Sequence, residues 1–123
     1  MIYRSLTENA VDRKILAAEY KSAKVIGVVR LGSSFFFFRR EFQVFYVAYE
    51  EIMRCFRRVL LIPVGNGKKN MRLETLVIAD CKRDLAQIQI PGTEAARNLL
   101  EEMKVKVPHA DFTCPDKKEE ETH

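Results

Sequence analysis

The 123-residue sequence predicts an α+β fold, in which a strongly bent antiparallel sheet or partly open barrel of about six to seven strands has a helix at each end of the chain. Three observations support this class. Helical periodicity occurs near both ends, β-branched and aromatic residues dominate the middle, and glycine-rich or charged turns divide that middle at short intervals. Strands grouped together beside helices are typical of α+β domains.

The N-terminal helix is predicted at residues 7–20. Thr7 can act as its N-cap, and Val11, Ile15 and Ala18 recur at helical spacing. Residues 22–24 are expected to end this helix.

Six stretches of β-branched, aromatic or alternating residues predict the strands. They are residues 25–29, 35–38, 42–49, 52–62, 71–79 and 85–90. Gly27 is interpreted as a bulge or a point of close backbone approach inside the first strand, and Pro63 as the end of the fourth. The first half of the fourth stretch could be helical, but the branched residues at 59–62 favour a strand. Residues 65–70 form the clearest loop, and the first three strands read as an antiparallel meander.

The C-terminal helix is predicted at residues 94–104, with Thr93 as its N-cap. Four apolar residues share one side of it. They are Ala96, Leu99, Leu100 and Met103. Burial of one such side chain is worth roughly 1.5–3 kcal/mol, so this side of the helix is expected to lie on the sheet. There the helix would cap the open end of the sheet.

The order of these elements resembles the pleckstrin-homology-like (PH-like) superfold, in particular the small PH-like and GRAM-like domains of bacteria. Three stretches carry the resemblance: residues 28–38 look like a first hairpin, residues 49–54 are similar to a Tyr-x-Asp/Glu-Ile step into a middle strand, and residues 76–108 hold two strands, Pro-Gly, a helix and a trailing proline. The resemblance implies a non-catalytic binding scaffold.

We therefore expect a helical segment at residues 1–24, a PH-like domain at 25–108 and a flexible acidic tail at 109–123. Composition fits a globular chain, because 47% of the residues are apolar and 31% are charged. The net charge is +4, and the acidic last nine residues leave the preceding part more positive. A positive body favours anionic partners without identifying one.

Three cysteines, Cys55, Cys81 and Cys114, have no CxxC spacing, so reduced thiols and no zinc site are expected. Residues 1–6 contain no apolar core of a signal peptide, and the apolar stretches are too short to cross a bilayer. We expect a cytoplasmic protein, with peripheral attachment to a membrane as the alternative location.

Basic clusters are the candidate ligand-binding residues. They are Arg39, Arg40, Arg54, Arg57, Arg58, Lys68, Lys69 and Arg72. In a lipid-binding member of the family, such residues would hold phosphoinositide phosphates, and arginine suits that contact. The family's lipid-binding motif, however, lies at the first hairpin, where residues 30–34 of this chain contain no Lys/Arg cluster. A solvated face, or protection of a strand edge against aggregation, is the favoured interpretation.

The remaining candidates point away from catalysis. The phenylalanines at 35–38 could stack on RNA bases, but core packing is favoured. His109, Asp111 and Cys114 lack a supporting second histidine or carboxylate pair, and residues 65–68 lack the ending of a phosphate-binding loop. No catalytic residue, metal ligand, cofactor or small-molecule substrate is predicted, and we expect no enzyme.

The expected function is a non-catalytic interaction module that binds a protein partner or associates with itself, through a strand edge or a groove beside the helix. Peripheral membrane association through a basic face is the first alternative. Nucleic-acid binding is the second, and it predicts a steep salt dependence.

Overall fold

The computed structural model describes residues 2–65 and 69–114 as two helices and two sheets, which confirms the α+β class. The chain divides into two compact units between Ile52 and Met53, whereas the predicted boundaries followed residues 24 and 108. The single bent sheet is a wrong prediction, because the described strands form separate sheets of five and three strands and no closed barrel.

The first unit contains the five-stranded sheet. Its elements are β1 (Ile2–Ser5), α1 (Arg13–Ser22), β2 (Lys24–Ile26), β3 (Val29–Leu31), β4 (Phe35–Arg40), β5 (Gln43–Ala48) and a short 3-10 turn (Tyr49–Glu51). The spatial order is β1-β5-β4-β3-β2. Antiparallel pairing from β2 to β5 confirms the meander, but β1 was missed and pairs parallel to β5.

Two local predictions in this unit are wrong. Helix α1 begins at Arg13, and Asp12 is its N-cap, because the carboxylate of Asp12 accepts a hydrogen bond from the Lys14 backbone N–H at 2.8 Å. Thr7 instead accepts from the backbone of Asn9. Gly27 adopts a φ of 61° in the turn between β2 and β3, so it reverses the chain and is not a bulge within one strand.

The aromatic residues of β4 belong to the core. Phe36, Phe37 and Phe38 are all buried, and Phe35 is half-buried. Phe37 packs with Leu16 of α1 in one cluster. Neighbouring residues of a strand point to opposite faces, so both faces of β4 are covered. This burial is the outcome that the sequence favoured over base stacking.

The second unit contains β6 (Arg54–Val64), β7 (Lys69–Ala79), β8 (Asp84–Ile90) and α2 (Thr93–Lys106). The three strands form an antiparallel sheet in the order β6-β7-β8. The predicted side of the C-terminal helix is confirmed as buried at Ala96, Leu99 and Met103, and Leu100 is half-buried.

Three predictions near the strand and chain ends are corrected. Strand β6 continues through Pro63 to Val64. Thr93 does not cap α2, because the N-cap position belongs to Gly92, and the Thr93 hydroxyl donates to Glu74 instead. Asp111, placed in the flexible tail, forms a backbone bridge to Arg54. The remaining tail, residues 115–123, lies outside the described residues, as do residues 66–68 of the predicted loop.

Candidate interaction surface

A buried carboxylate organises part of the predicted basic cluster. Glu74 is 2% exposed. Its carboxylate accepts hydrogen bonds from Arg57 Nε at 2.7 Å, Arg57 Nη2 at 2.9 Å, Arg72 Nε at 3.1 Å and the Thr93 hydroxyl at 2.9 Å. These bonds, the Arg57 pair foremost, lower the pKa of Glu74 to about 2 against the opposing effect of burial. Two of the eight candidate arginines and lysines therefore hold a structural carboxylate in place.

The strand register explains this convergence. The pairing of β6 with β7 places Val59 opposite Glu74. Arg57 is two residues from Val59, and Arg72 is two residues from Glu74, so all four share one face of the sheet. The sequence contained the alternation, but only the register brings Arg57 and Arg72 to the same carboxylate.

Arg54 and Arg58 lie on the opposite face of β6. Their guanidinium groups lie 5.3 and 5.6 Å from the centroid of the Phe56 ring, which is buried between them. Such contacts contribute about 0.5–1 kcal/mol at partly exposed sites. Positive charge is therefore held at fixed positions along this strand.

Arg39 and Arg40 belong to the first unit, at the end of β4. Arg39 Nε donates to the carbonyl oxygen of Glu41 at 3.1 Å, and Arg40 lies 5.7 Å from the Phe38 ring centroid. Lys68 lies outside the described residues, and Lys69 begins β7. The candidate basic residues are thus divided between two units and, within the second, between two faces.

The hairpin of β6 and β7 extends well beyond the third strand. Strand β8 ends at Ile90, which pairs with Glu74, so within the described part of the chain residues 60–64 of β6 and 69–73 of β7 have only each other as ladder partners. We call these residues the β6–β7 ribbon. A two-stranded ribbon is marginally stable in water without further packing.

Aliphatic side chains are exposed along this ribbon. One face carries Leu60, Ile62, Val64 and Met71, each between 42% and 48% exposed, and the other face carries Leu61 at 60%. The sequence analysis missed this surface, because it assigned residues 59–62 to an apolar strand and did not consider which element would cover their side chains. A usable signal was present, since the predicted fourth and fifth strands are longer than the sixth.

The outer edge of β6 already accepts an extended backbone at one end. Asp111 accepts a hydrogen bond from the Cys55 N–H at 2.9 Å and donates to the carbonyl oxygen of Met53 at 2.8 Å, which makes a parallel bridge. The Asp111 carboxylate then accepts from the Thr113 N–H at 2.9 Å, and that turn diverts the chain. No other pairing to this edge occurs within residues 2–65 and 69–114.

Backbone alternation extends the same edge along the ribbon. Since the Cys55 N–H points away from β7, those of Arg57, Val59 and Leu61 point the same way. Pro63 occupies the next outward position, where a missing N–H removes no bond to β7. This is the physical reason why Pro63 does not end β6.

Other features of the described residues offer less chemistry. Cys55 is buried, and burial raises the pKa of its thiol to about 12. A surface cavity of about 260 Å³ borders the turn between β7 and β8, where backbone hydrogen bonds from Arg83 and Lys82 lower the pKa of Asp80. No group of three potential metal ligands occurs in residues 2–65 and 69–114, and no helix there is long and apolar enough to cross a membrane.

Comparisons of this chain with protein-family models, with curated proteins and with solved structures found no match. The resemblance to PH-like domains therefore stays a proposal, supported by the order of the elements alone.

Proposed function

We propose that this protein is a non-catalytic interaction module, built on a PH-like scaffold, that binds a protein partner or a second copy of itself through the β6–β7 ribbon. The single observation that carries the proposal is the aliphatic face of that ribbon, which is exposed on a hairpin longer than its sheet. Large exposed apolar patches mark interaction sites in soluble proteins.

The scaffold part of the proposal is supported by element order. A four-stranded antiparallel meander, β2 to β5, precedes a three-stranded antiparallel meander and an amphipathic helix. This matches the order on which the resemblance was based. That order also began with an N-terminal helix, for which α1 is the counterpart, whereas the parallel strand β1 was not part of it.

Energetics favour a binding role for the ribbon. Edge strands with exposed aliphatic residues are aggregation hazards, and proteins normally protect them with charge, proline or a covering element. The ribbon has Pro63 near its tip and arginines at its base, while its centre remains aliphatic on both faces. A partner would bury the residues that these devices leave exposed.

Peripheral membrane association is the second candidate. One observation favours it: residues 59–73 contain Lys68, Lys69 and Arg72 but no Asp or Glu. Aliphatic and cationic side chains together suit an anionic lipid surface. Binding of RNA by base stacking is less favoured, because Phe36, Phe37 and Phe38 of β4 are buried and cannot stack on bases.

The test combines sedimentation over a wide concentration range with selection from a library of random extended peptides. The double variant Leu60→Thr, Ile62→Thr removes two aliphatic side chains from the centre of this face, and threonine keeps a high strand propensity at both positions. Val105→Thr is the matched control, because Val105 is 77% exposed on α2. We expect peptide selection or self-association in the wild type and in the control, and its loss in the double variant. A chain that stays monomeric and selects no peptide would contradict the proposal.

A further inference from the structure

We infer that the partner of the ribbon is a second copy of the chain, with the outer edge of β6 in one copy paired antiparallel to the same edge in the other and Leu60 on the two-fold axis between them. This inference rests on the proposed function and names its partner. A two-fold contact brings one surface into contact with itself, so that surface must be self-complementary.

The backbone groups of this edge are self-complementary about Leu60. Val59 and Leu61 present outward N–H and C=O groups, and no hydrogen bond to these groups occurs within residues 2–65 and 69–114. With the axis at Leu60, Val59 of each copy lies opposite Leu61 of the other. Residues that face each other with outward groups exchange both of their hydrogen bonds. Every outward group of Val59 and Leu61 is therefore bonded in the pair.

Other positions of the axis fit less well. An axis at Arg58 sets two guanidinium groups directly opposite each other, which destabilises a strand pair. An axis at Val59 sets the same groups at diagonal positions, only about 7–8 Å apart. An axis at Leu61 sets Pro63 opposite Val59, and proline has no N–H to donate. The axis at Leu60 avoids all three conflicts.

The charges of the chain are compatible with this register. Residues 59–64 contain no charged side chain. Arg58 lies opposite Ile62 of the other copy, so the two Arg58 positions are four residues apart, roughly 13 Å along the strands. This separation exceeds the distance of about 8 Å over which exposed charges act at physiological salt. Each Arg58 guanidinium also lies 5.6 Å from the centroid of the Phe56 ring, on the side away from the axis.

Arg57 adds no contact between like charges. It is further from the axis than Arg58, and its guanidinium is bonded to Glu74 of its own copy at 2.7 and 2.9 Å. The carboxylate of Glu74 balances this charge within each copy. Self-pairing therefore needs no acidic residue from the partner.

The pairing covers aliphatic side chains on both faces of β6. On one face, Leu60 meets its own counterpart at a pair without mutual hydrogen bonds, where side chains approach most closely. On the other face, Leu61 packs beside Val59 of the second copy. A lipid surface would cover only one face of the ribbon, although Leu60 and Leu61 are exposed on opposite faces.

A second copy is favoured over a free peptide because its strand is already ordered. A peptide loses backbone freedom when it binds, at a cost of roughly 1–2 kcal/mol for each residue that becomes fixed. Strand β6 of the second copy is extended before contact, since β7 pairs with it from Arg54 to Val64. Preorganisation of this kind increases affinity. The contact of one strand pair is nevertheless small, so the dimer is expected at high protein concentration.

The first experiment changes the charge at the axis. Leu60→Arg and Leu60→Glu are studied alone and as an equimolar mixture by sedimentation over a wide concentration range, and circular dichroism checks that each variant is folded. We expect the wild type to dimerise and the mixture to dimerise about tenfold more tightly than either variant alone, because opposite charges then face each other. Val105→Arg and Val105→Glu, at an exposed position of α2, are the matched controls and should dimerise like the wild type, alone or mixed.

The second experiment tests the register by disulfide formation, in a chain that carries Cys81→Ser and Cys114→Ser. Leu60→Cys places two thiols opposite each other at the axis. Ile62→Cys, at a similarly exposed position on the same face, places them four residues apart. A disulfide needs Cβ atoms about 3.5–4.5 Å apart, so we expect Leu60→Cys to cross-link roughly tenfold faster than Ile62→Cys.

The outcomes separate the inference from the proposed function. A mixture that dimerises no more tightly than its components, or equal cross-linking at the two positions, overturns the inference. Self-association in another register, or selection of peptides by a monomeric chain, then leaves the proposed function standing. A chain that neither associates nor selects peptides, and binds only vesicles of phosphatidylserine and phosphatidylcholine, overturns both.

Discussion

The two halves of the β6–β7 hairpin have similar aliphatic residues in opposite surroundings. At the base, Phe56, Leu76 and Ile78 are buried in a sheet that includes β8 and is packed by α2. In the ribbon, Leu60, Leu61 and Ile62 remain exposed. This difference shows that apolar residues form a core only where other elements of the fold cover them. The boundary between the buried and the exposed half lies where β8 ends.

The largest effect should come from Leu99 of α2, which is fully buried. Leu99→Ala is expected to lower the free energy of unfolding by about 4 kcal/mol, because it leaves a cavity against the base of the hairpin. Urea denaturation measures this change. Leu100→Ala, at a half-buried position of the same helix, is the control and should cost clearly less. Equal costs would mean that α2 does not cover the sheet as described.

The next effect should come from Glu74, at the boundary between the two halves. Glu74→Gln is expected to cost about 3 kcal/mol at pH 7, because it leaves the half-buried Arg57 without its carboxylate. The folded pKa of Glu74 is about 2, below the ordinary 4.5. Its contribution is therefore complete above about pH 4.5 and disappears as the pH falls towards 2.

Urea denaturation at pH 7 and at pH 3 tests the sign of this effect. The difference between wild type and Glu74→Gln should shrink at pH 3. A difference that stays constant over this range would contradict the ionised, hydrogen-bonded state of Glu74.

A smaller effect should come from Thr93, whose hydroxyl donates to Glu74. Thr93→Val keeps the side-chain shape and removes the donor, so the free energy of unfolding should fall by about 1 kcal/mol. Thr93→Ser retains the hydroxyl and should cost less. If Thr93→Val costs no more than Thr93→Ser, the hydrogen bond contributes nothing measurable.

The smallest effect should come from Leu61 in the ribbon. Leu61→Thr should change the free energy of unfolding by less than about 0.5 kcal/mol, since the side chain is mostly exposed. The same denaturation series measures it. A cost of several kcal/mol would show that Leu61 is covered in solution, and the contrast between the two halves would be lost.

Prediction from sequence succeeded where one element carries its own signal. The alternation at residues 71–79 and the stripe from Ala96 to Met103 were interpreted correctly, because side-chain periodicity is a local property. It failed where the role of a residue depends on a contact with another element of the fold. Thr93 matched an N-cap pattern, yet its hydroxyl is taken by Glu74, a residue on another element.

The candidate site shows the same limit. Arg57 and Arg72 were recognised as basic, but a cluster of cations in sequence does not reveal that two of them share one buried carboxylate. The ribbon was not recognised at all, because exposure depends on the length of β8 and on its register with β7.

The sequence by itself determined the α+β class, the outline of seven of the ten α-helices and strands found in residues 2–65 and 69–114, and the basic and aliphatic character of residues 54–73. Tertiary structure alone decided that the strands form two sheets, that β1 joins one of them in parallel, and that the ribbon extends beyond β8. The physical reason is that periodicity and turn residues act over a few neighbours, whereas pairing and burial depend on segments far apart in the chain.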